Sequence, residues 1–187
     1  GDVGLQDTNG DGVINPDDRQ VIGNPDPKWI FGINLDVGYK GVNLSVLLQG
    51  ASGYQTYGQN EIFWPFNNLH GTDTRWLDRW TPQNTGAALP RVFLGGDGWP
   101  STAVPNSFWL LDRSHLRIKN VQLSYTLPAG VYANSFLENM QIYLNASNLA
   151  TFTKFPFLDP ERPAGTNRLG DGFPNIRVFS AGVNLKF

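Results

Sequence analysis

The sequence predicts an all-β chain, built from antiparallel strands that cross a membrane as part of a β-barrel. Three observations predict it. Five segments alternate apolar and polar side chains, short turns alternate with long loops between them, and aromatic residues gather near the segment ends. Each segment is long enough to cross a bilayer as a tilted strand, for which roughly 9–11 residues suffice.

Composition narrows the classes first. The 187 residues carry a formal net charge of -2, so there is no basic footprint and no nucleic-acid partner is expected. Cys is absent, which excludes disulfides, thiol catalysis and a zinc-thiolate site. With 21 Gly, 13 Pro and 13% aromatic residues, the chain suits strands and loops better than helices. No run approaches the roughly 18 uninterrupted apolar residues of a membrane helix. Barrel strands give only a weak hydropathy signal, so a membrane stays open. The chain opens Gly1-Asp2-Val3 without a charged and apolar leader, so an exported barrel is expected to have further N-terminal sequence.

The first strand, 29–39, sets Phe31, Ile33, Leu35, Val37 and Tyr39 against Gly32, Asn34, Asp36 and Gly38. The second, 42–50, sets Val42, Leu44, Val46 and Leu48 against Asn43, Ser45, Leu47 and Gln49. The third, 115–127, places Val121, Leu123, Tyr125 and Leu127 opposite Asn120, Gln122, Ser124 and Thr126. Upstream its phase slips, because Leu116 and Ile118 have the other parity; a β-bulge near Lys119 would restore the register, or equally that end projects above the membrane, where alternation is not demanded. In the fourth, Met140, Ile142, Leu144 and Ala146 alternate with Gln141, Tyr143, Asn145 and Ser147. In the last, Phe179, Ala181, Val183, Leu185 and Phe187 alternate with Ser180, Gly182, Asn184 and Lys186.

These strands divide the chain into a loop at 1–28, two strands at 29–50, a long loop at 51–114, two strands at 115–148, a loop at 149–175 and a closing strand at 176–187. Loops as long as 51–114 are unusual in a compact soluble domain. Short turns on one side and long loops on the other are what an outer-membrane barrel has, with the loops extracellular. A soluble β-sandwich with one wet face also alternates. Two details weigh against it. The polar faces carry Asn, Ser, Gln and Gly more than Lys and Glu, and Trp29, Tyr39, Tyr125, Phe179 and Phe187 sit where interfacial girdle residues would. Five strands cannot close a membrane barrel, since open edges in lipid leave backbone groups unpaired. The remaining strands are therefore expected from elsewhere.

Asp7-Thr-Asn9-Gly-Asp11-Gly12-Val13-Ile14-Asn15-Pro-Asp-Asp18 fits the EF-hand loop pattern. Hard oxygens would come from Asp7, Asn9, Asp11, Asn15 and Asp18, with a backbone carbonyl from Val13 and a sharp turn at Gly12. Asp18 stands where a bidentate Glu is usual. The bland reading is an Asx- and Gly-rich turn that binds nothing. The pattern favours a structural Ca²⁺, in a loop stapled by the ion and not a sensor.

The loop 51–114 is rich in aromatics, including Tyr54, Tyr57, Phe63, Trp64, Phe66, Trp76, Trp80, Trp99, Phe108 and Trp109. Exposed aromatics stack on sugars or pack against proteins, and Tyr54, Tyr57, Trp64 and Trp99 are the candidate contacts to cargo or a lid. Most of the others are expected to form the loop's own small core. Thr72 to Trp80 reads as a short helix with Trp76 and Trp80 stacked at i and i+4. Nothing reads as an enzyme. His70 and His115 lack metal or nucleophile partners, the carboxylates Asp73/Asp78 and Asp159/Glu161 are ordinary loop acids, and Gly95-Gly96-Asp97-Gly98 has no following Lys-Ser/Thr. His115, Arg117 and Lys119 share a strand face and read as lumen or loop anchors. The end of the chain, with Gly182, Leu185 and Phe187, reads as a barrel insertion signal, the alternative being an ordinary edge strand that ends in Phe.

Several blocks resemble one family, the SusC/RagA-type TonB-dependent transporters of the Bacteroidetes, over nearly the whole chain but only in that family's C-terminal part. They are Asp7-Thr-Asn-Gly-Asp-Gly through Val21-Ile-Gly-Asn-Pro-Asp-Pro-Lys28, Trp80-Thr-Pro-Gln-Asn84, His115 through Pro128, and Asn148-Leu-Ala-Thr-Phe-Thr-Lys154 with Asp159-Pro-Glu161. The resemblance implies the last five strands of a roughly 22-strand, plugged barrel in the bacterial outer membrane. It implies a SusD-like surface lipoprotein over the loops, TonB acting through an N-terminal part, and glycans or peptides as cargo. The rival reading is a soluble, calcium-binding cell-surface β module that recognises glycans.

Overall fold

A computed structural model describes residues 1–58, 65–66, 71–92, 105–133, 135–156, 159–161 and 174–187. The chain divides into two compact units. Asp26–Tyr54, Asp112–Arg162 and Phe173–Phe187 make one, and Gly1–Pro25, Gln55–Leu111 and Pro163–Gly172 make the other.

The first unit is a five-stranded antiparallel sheet of β1 (Trp29–Tyr39), β2 (Val42–Ser52), β5 (His115–Thr126), β6 (Asn139–Thr153) and β7 (Val178–Lys186), in that spatial order. Neighbours in the sheet are also successive in this series, so the strands run as a meander. Tyr39 pairs with Val42 across Lys40-Gly41, whose φ values of 47° and 84° are both left-handed. That is the backbone of a type I′ turn, which matches the strand twist. Lys40 accepts the strain and extends over the Tyr39 ring.

Register explains the two faces. Leu35 pairs with Val46, Val46 with Val121, Val121 with Ala146 and Ala146 with Phe179, so apolar residues run across the sheet in rows. Asp36, Ser45, Gln122, Asn145 and Ser180 form the adjacent row on the other face. The apolar face is bare. Trp29 is 72% exposed, and Ile33, Leu35, Val37, Leu123, Leu144, Val183 and Leu185 are exposed with it. A water-facing sheet cannot carry so wide an apolar surface without a cover.

Of the two readings of the parity slip, the structure has the bulge, at Lys119. On β2 consecutive Leu47 and Leu48 pair with Asn120 and Ile118, leaving Lys119 without a partner position. On β6 the pairing steps from Ser147 to Ala150 across the same point, and Asn148 there has φ 53°. Both strands shift phase together, so Ile118 and Ala150 stay on the apolar face. β6 also runs on to Thr153, into residues expected as loop, because pairing to β5 continues up to His115.

The long connections all leave one end of the sheet, next to Trp29, Ser52, His115 and Thr153. The turns at Lys40-Gly41 and Leu127–Glu138 lie at the other. The second turn is braced by the Leu127 N–H bond to Met140 O and by Glu138 N–H to Lys186 O. Phe136 packs edge-on against Phe187, with ring centres 6.2 Å apart.

The second unit holds β3 (Gln55–Tyr57) and all but the last residue of β4 (Leu110–Asp112), which pair as a two-stranded ribbon. Its small core pairs Trp76 with Trp109, both buried, with Phe108 edge-on to Trp109 at 4.8 Å. The expected Trp76–Trp80 helix is a five-residue 3-10 turn, Thr74–Asp78, capped by Asp73. Three residues per turn remove the i, i+4 alignment. Trp76 therefore meets Trp109, while the Trp80 indole lies against Gly1. Arg91 binds Asp2 through two hydrogen bonds of 2.8 Å, fastening the first residues of the chain.

Candidate functional site on the polar face of the sheet

The most organised group of functional side chains lies at the loop end of the polar face. β5 carries His115, Arg117 and, through the bulge, Lys119 on this face, and Arg113 precedes them at the same spacing. After β6 the chain places Asp159-Pro160-Glu161 over this row. Arg117 Nη2 donates to Asp159 Oδ1 at 2.5 Å, and Lys119 Nζ donates to Glu161 Oε2 at 3.0 Å. Glu161 also faces Arg117 Nη1 at 3.4 Å and His115 Nε2 at 3.7 Å.

The backbone of this segment is held as firmly as its side chains. The Pro160 carbonyl accepts from Arg113 Nη2 at 2.7 Å, Arg113 Nε at 3.0 Å and Tyr54 Oη at 3.1 Å. Tyr54 stacks under the Arg113 guanidinium, 5.1 Å from its ring centre, and its hydroxyl lies 3.3 Å from His115 Nδ1. Asn175 ties in the far side, its N–H donating to Asp159 at 2.9 Å and its Nδ2 to Glu161 at 2.9 Å.

The cluster is dry. Arg117 is 1% exposed and Pro160 is fully buried. Burial pushes the Asp159 carboxyl up, but the Arg117 bond and the N–H groups of Glu161 and Asn175 outweigh it and hold the group below the usual carboxylate range. Burial raises the Tyr54 phenol, partly opposed by Arg113, so it remains a neutral donor. Tyr54 was a candidate cargo contact from sequence. Here it is buried with its hydroxyl bound to Pro160, so its role is to hold this segment.

The other predicted residues lie apart. Tyr57 is on β3, and its hydroxyl is buried without a hydrogen-bond partner. Trp64 and Trp99 lie outside the described residues. Gly182 sits on β7 opposite Tyr143, where a Cβ would fall on the Tyr143 ring. Leu185 and Phe187 are exposed on the apolar side.

The Asp7–Asp18 loop is closed by its own carboxylates. Asp7 accepts from Gly10 and Gly12 N–H at 2.6 and 2.8 Å, Asp11 from Val13 N–H at 2.8 Å, and Asn9 Oδ1 from Asp11 N–H at 2.9 Å. Asp18 returns to Thr8 and Asn15 N–H, both at 2.8 Å. The Asn15 and Thr8 N–H groups hold the Asp18 carboxyl below its ordinary range. Asn15 caps the 3-10 turn Pro16–Asp18 in a full capping box. The Val13 side chain is exposed. Among the described residues, no group of three or more His, Asp or Glu side chains converges as a metal cage.

No family model matches the chain. The TonB-dependent receptor P26 of Formosa agariphila is 36% identical over a 199-residue alignment that takes in 100% of this chain and 20% of that protein. The TonB-dependent receptor P3 of the same organism is 29% identical, over 97% of this chain and 18% of its own length. Among solved structures, the RagAB peptide transporter superposes with a TM-score of 0.74 at 25% identity, covering 94% of this chain and 19% of that one. The RagAB peptide importer in its 'open-open' state gives 0.70 at 28% identity, covering 87% and 17%. The chain belongs with the SusC/RagA-like TonB-dependent transporters, of which it covers a part. It spans about a fifth of the length of the curated relatives. The SusC/RagA-like likeness accounts for the bare apolar face and for loops gathered at one end. No helix among the described residues is long and apolar enough to cross a membrane, which says nothing of a β-barrel.

Proposed function

We propose that the chain forms the last five strands of a TonB-dependent outer-membrane nutrient importer of roughly 22 strands, a multi-pass protein of the bacterial outer membrane. One observation carries this reading: a five-stranded meander with a continuous apolar face, a polar face of amides and hydroxyls, and every long connection at one end. A soluble glycan-binding module would have to cover that apolar face, and the second unit already spends Trp76 and Trp109 on its own core. The outer edges of β1 and β7 would pair with the remaining barrel strands, and the polar face would line a lumen closed by the plug. The loop end would meet a SusD-like lipoprotein and the cargo, glycan or peptide. TonB would act through the plug side of the protein. The relatives named above are receptors and an importer, which supports transport as the role.

Ca²⁺ fits the Asp7–Asp18 loop by donor chemistry. Asp7, Asn9, Asp11, Asn15 and Asp18 supply hard oxygens with lone pairs beyond those bound to N–H groups, and Val13 supplies a carbonyl. An ion there would hold the loop closed.

The test is co-purification. Tagged full-length transporter extracted in detergent should bring down a lipoprotein partner and show a heat-modifiable band on gels. Recovery of this five-strand part as a stable, monodisperse monomer without detergent would overturn the barrel reading.

A further inference from the structure

Tyr54, Arg113, Arg117 and Lys119, from the sheet or its margin, donate to the Asp159 and Glu161 carboxylates and the Pro160 carbonyl of the segment after β6, and the Glu161 and Asn175 N–H groups complete the set from the connection itself. The arrangement has the features of peptide recognition. A main-chain carbonyl is anchored by three N–H or O–H donors, and the side chains on either side of it are chosen by charge. The central Pro has no N–H to satisfy and is fully buried. We propose that Tyr54, Arg113, His115, Arg117 and Lys119 form a recognition socket for an acidic peptide, filled in this structure by the chain's own Asp159-Pro160-Glu161. Its position inside a lumen rests on the barrel reading above; the socket itself does not.

Two observations show that the internal segment is an incomplete ligand. Arg117 Nε is buried without an acceptor, and Nη1 stands 3.4 Å from Glu161, at ion-pair range but without a hydrogen bond. A peptide of the same pattern that presents one more acceptor would satisfy the socket better. The bulge supplies the geometry, since it keeps Lys119 beside Arg117 so that both reach Glu161.

The experiment uses full-length transporter in detergent and a fluorescent hexapeptide centred on Asp-Pro-Glu, followed by anisotropy. The double variant Asp159→Asn, Glu161→Gln weakens the internal ligand and leaves every donor in place. It should bind the peptide at least tenfold more tightly than the wild type, while an Asn-Pro-Gln peptide should not bind either protein. Adding Lys119→Met should remove most of the gain. A heat-modifiable, folded double variant with no gain would overturn the socket, as would equal binding of both peptides. If the double variant fails to fold, Glu161→Gln alone is compared with the wild type, and a gain below threefold is the overturning result. Loss of the lipoprotein partner with peptide binding intact would count against the barrel reading alone.

Discussion

Arg117 and Asp159, far apart in sequence, form an ion pair whose side chains are only 2% and 4% exposed. Such a pair is costly to desolvate, and removing one partner leaves a buried charge. Asp159→Ala should therefore destabilise the folded transporter by roughly 3–5 kcal/mol. Replacing both residues with apolar ones of similar volume should cost much less. The unfolding midpoint of the heat-modifiable band in detergent would separate these outcomes. Equal losses in the single and double variants would show that packing, not the orphaned charge, sets the cost.

The same pair gives a pH dependence with a definite sign. The Asp159 carboxyl titrates below its unfolded value of about 3.9. Its contribution is complete above that value and is lost as pH falls through the lowered folded value. Wild type should thus exceed Asp159→Asn in stability by a constant margin at pH 5 to 7. The margin should shrink in more acidic buffer, where both proteins carry a neutral side chain. A margin that grows on acidification would contradict the sign.

How much of this was legible in the sequence depends on the range of the interaction. Alternation fixed β1 and β2 almost to the residue, because a period of two is local and Lys40-Gly41 leaves one tight turn. The slip between Ile118 and Asn120 pointed to a bulge at Lys119, but the compensating step at Asn148 left no parity signal. The socket was visible only in pieces. Arg117 and Lys119 are two apart, as are Asp159 and Glu161, and Arg113 has the same parity, yet nothing local says that they meet. Arg113 was missed, and Tyr54 was given a different role, for the same reason, since each binds a backbone carbonyl that has no sequence signature.

Deleting Lys119 tests the bulge. Without it, His115 to Ile118 must either turn to the opposite faces or slip against both neighbours. Either outcome moves Arg117 away from Asp159, so the deletion should lose at least as much stability as Asp159→Ala. Lys119→Ala keeps the backbone and loses only the partly exposed bond to Glu161, worth roughly 0–1 kcal/mol. Unfolding midpoints for the two variants should differ accordingly, and similar midpoints would assign the role to the side chain.

Gly182 has a packing reason independent of any insertion signal. It pairs with Tyr143, whose phenol ring covers the space a Cβ would need. Gly182→Ala should push the ring aside and cost about 1–3 kcal/mol, as overpacking does. Tyr143→Ser in the same protein should restore much of that loss. If Gly182→Ala instead blocks barrel assembly while Tyr143→Ser gives no rescue, insertion and not packing is the constraint on this glycine.

Calcium is the remaining prediction, and the loop's hydrogen bonds say how to test it. Asp7 and Asp11 both close backbone turns, so replacing them by Ala would remove turn contacts as well as ligands. Asp7→Asn with Asp11→Asn keeps one oxygen acceptor at each position, giving up one of the two N–H bonds that Asp7 accepts, and removes the two charges that attract the ion. Titration calorimetry on wild-type transporter should show one saturable Ca²⁺ site that the paired Asn variant weakens at least tenfold. The Ala pair, Asp7→Ala with Asp11→Ala, should abolish it. The paired Asn variant should also keep its unfolding temperature in chelator while losing the rise that the wild type shows on adding Ca²⁺. An unchanged isotherm in either pair would leave this segment as a hydrogen-bonded turn that holds no metal.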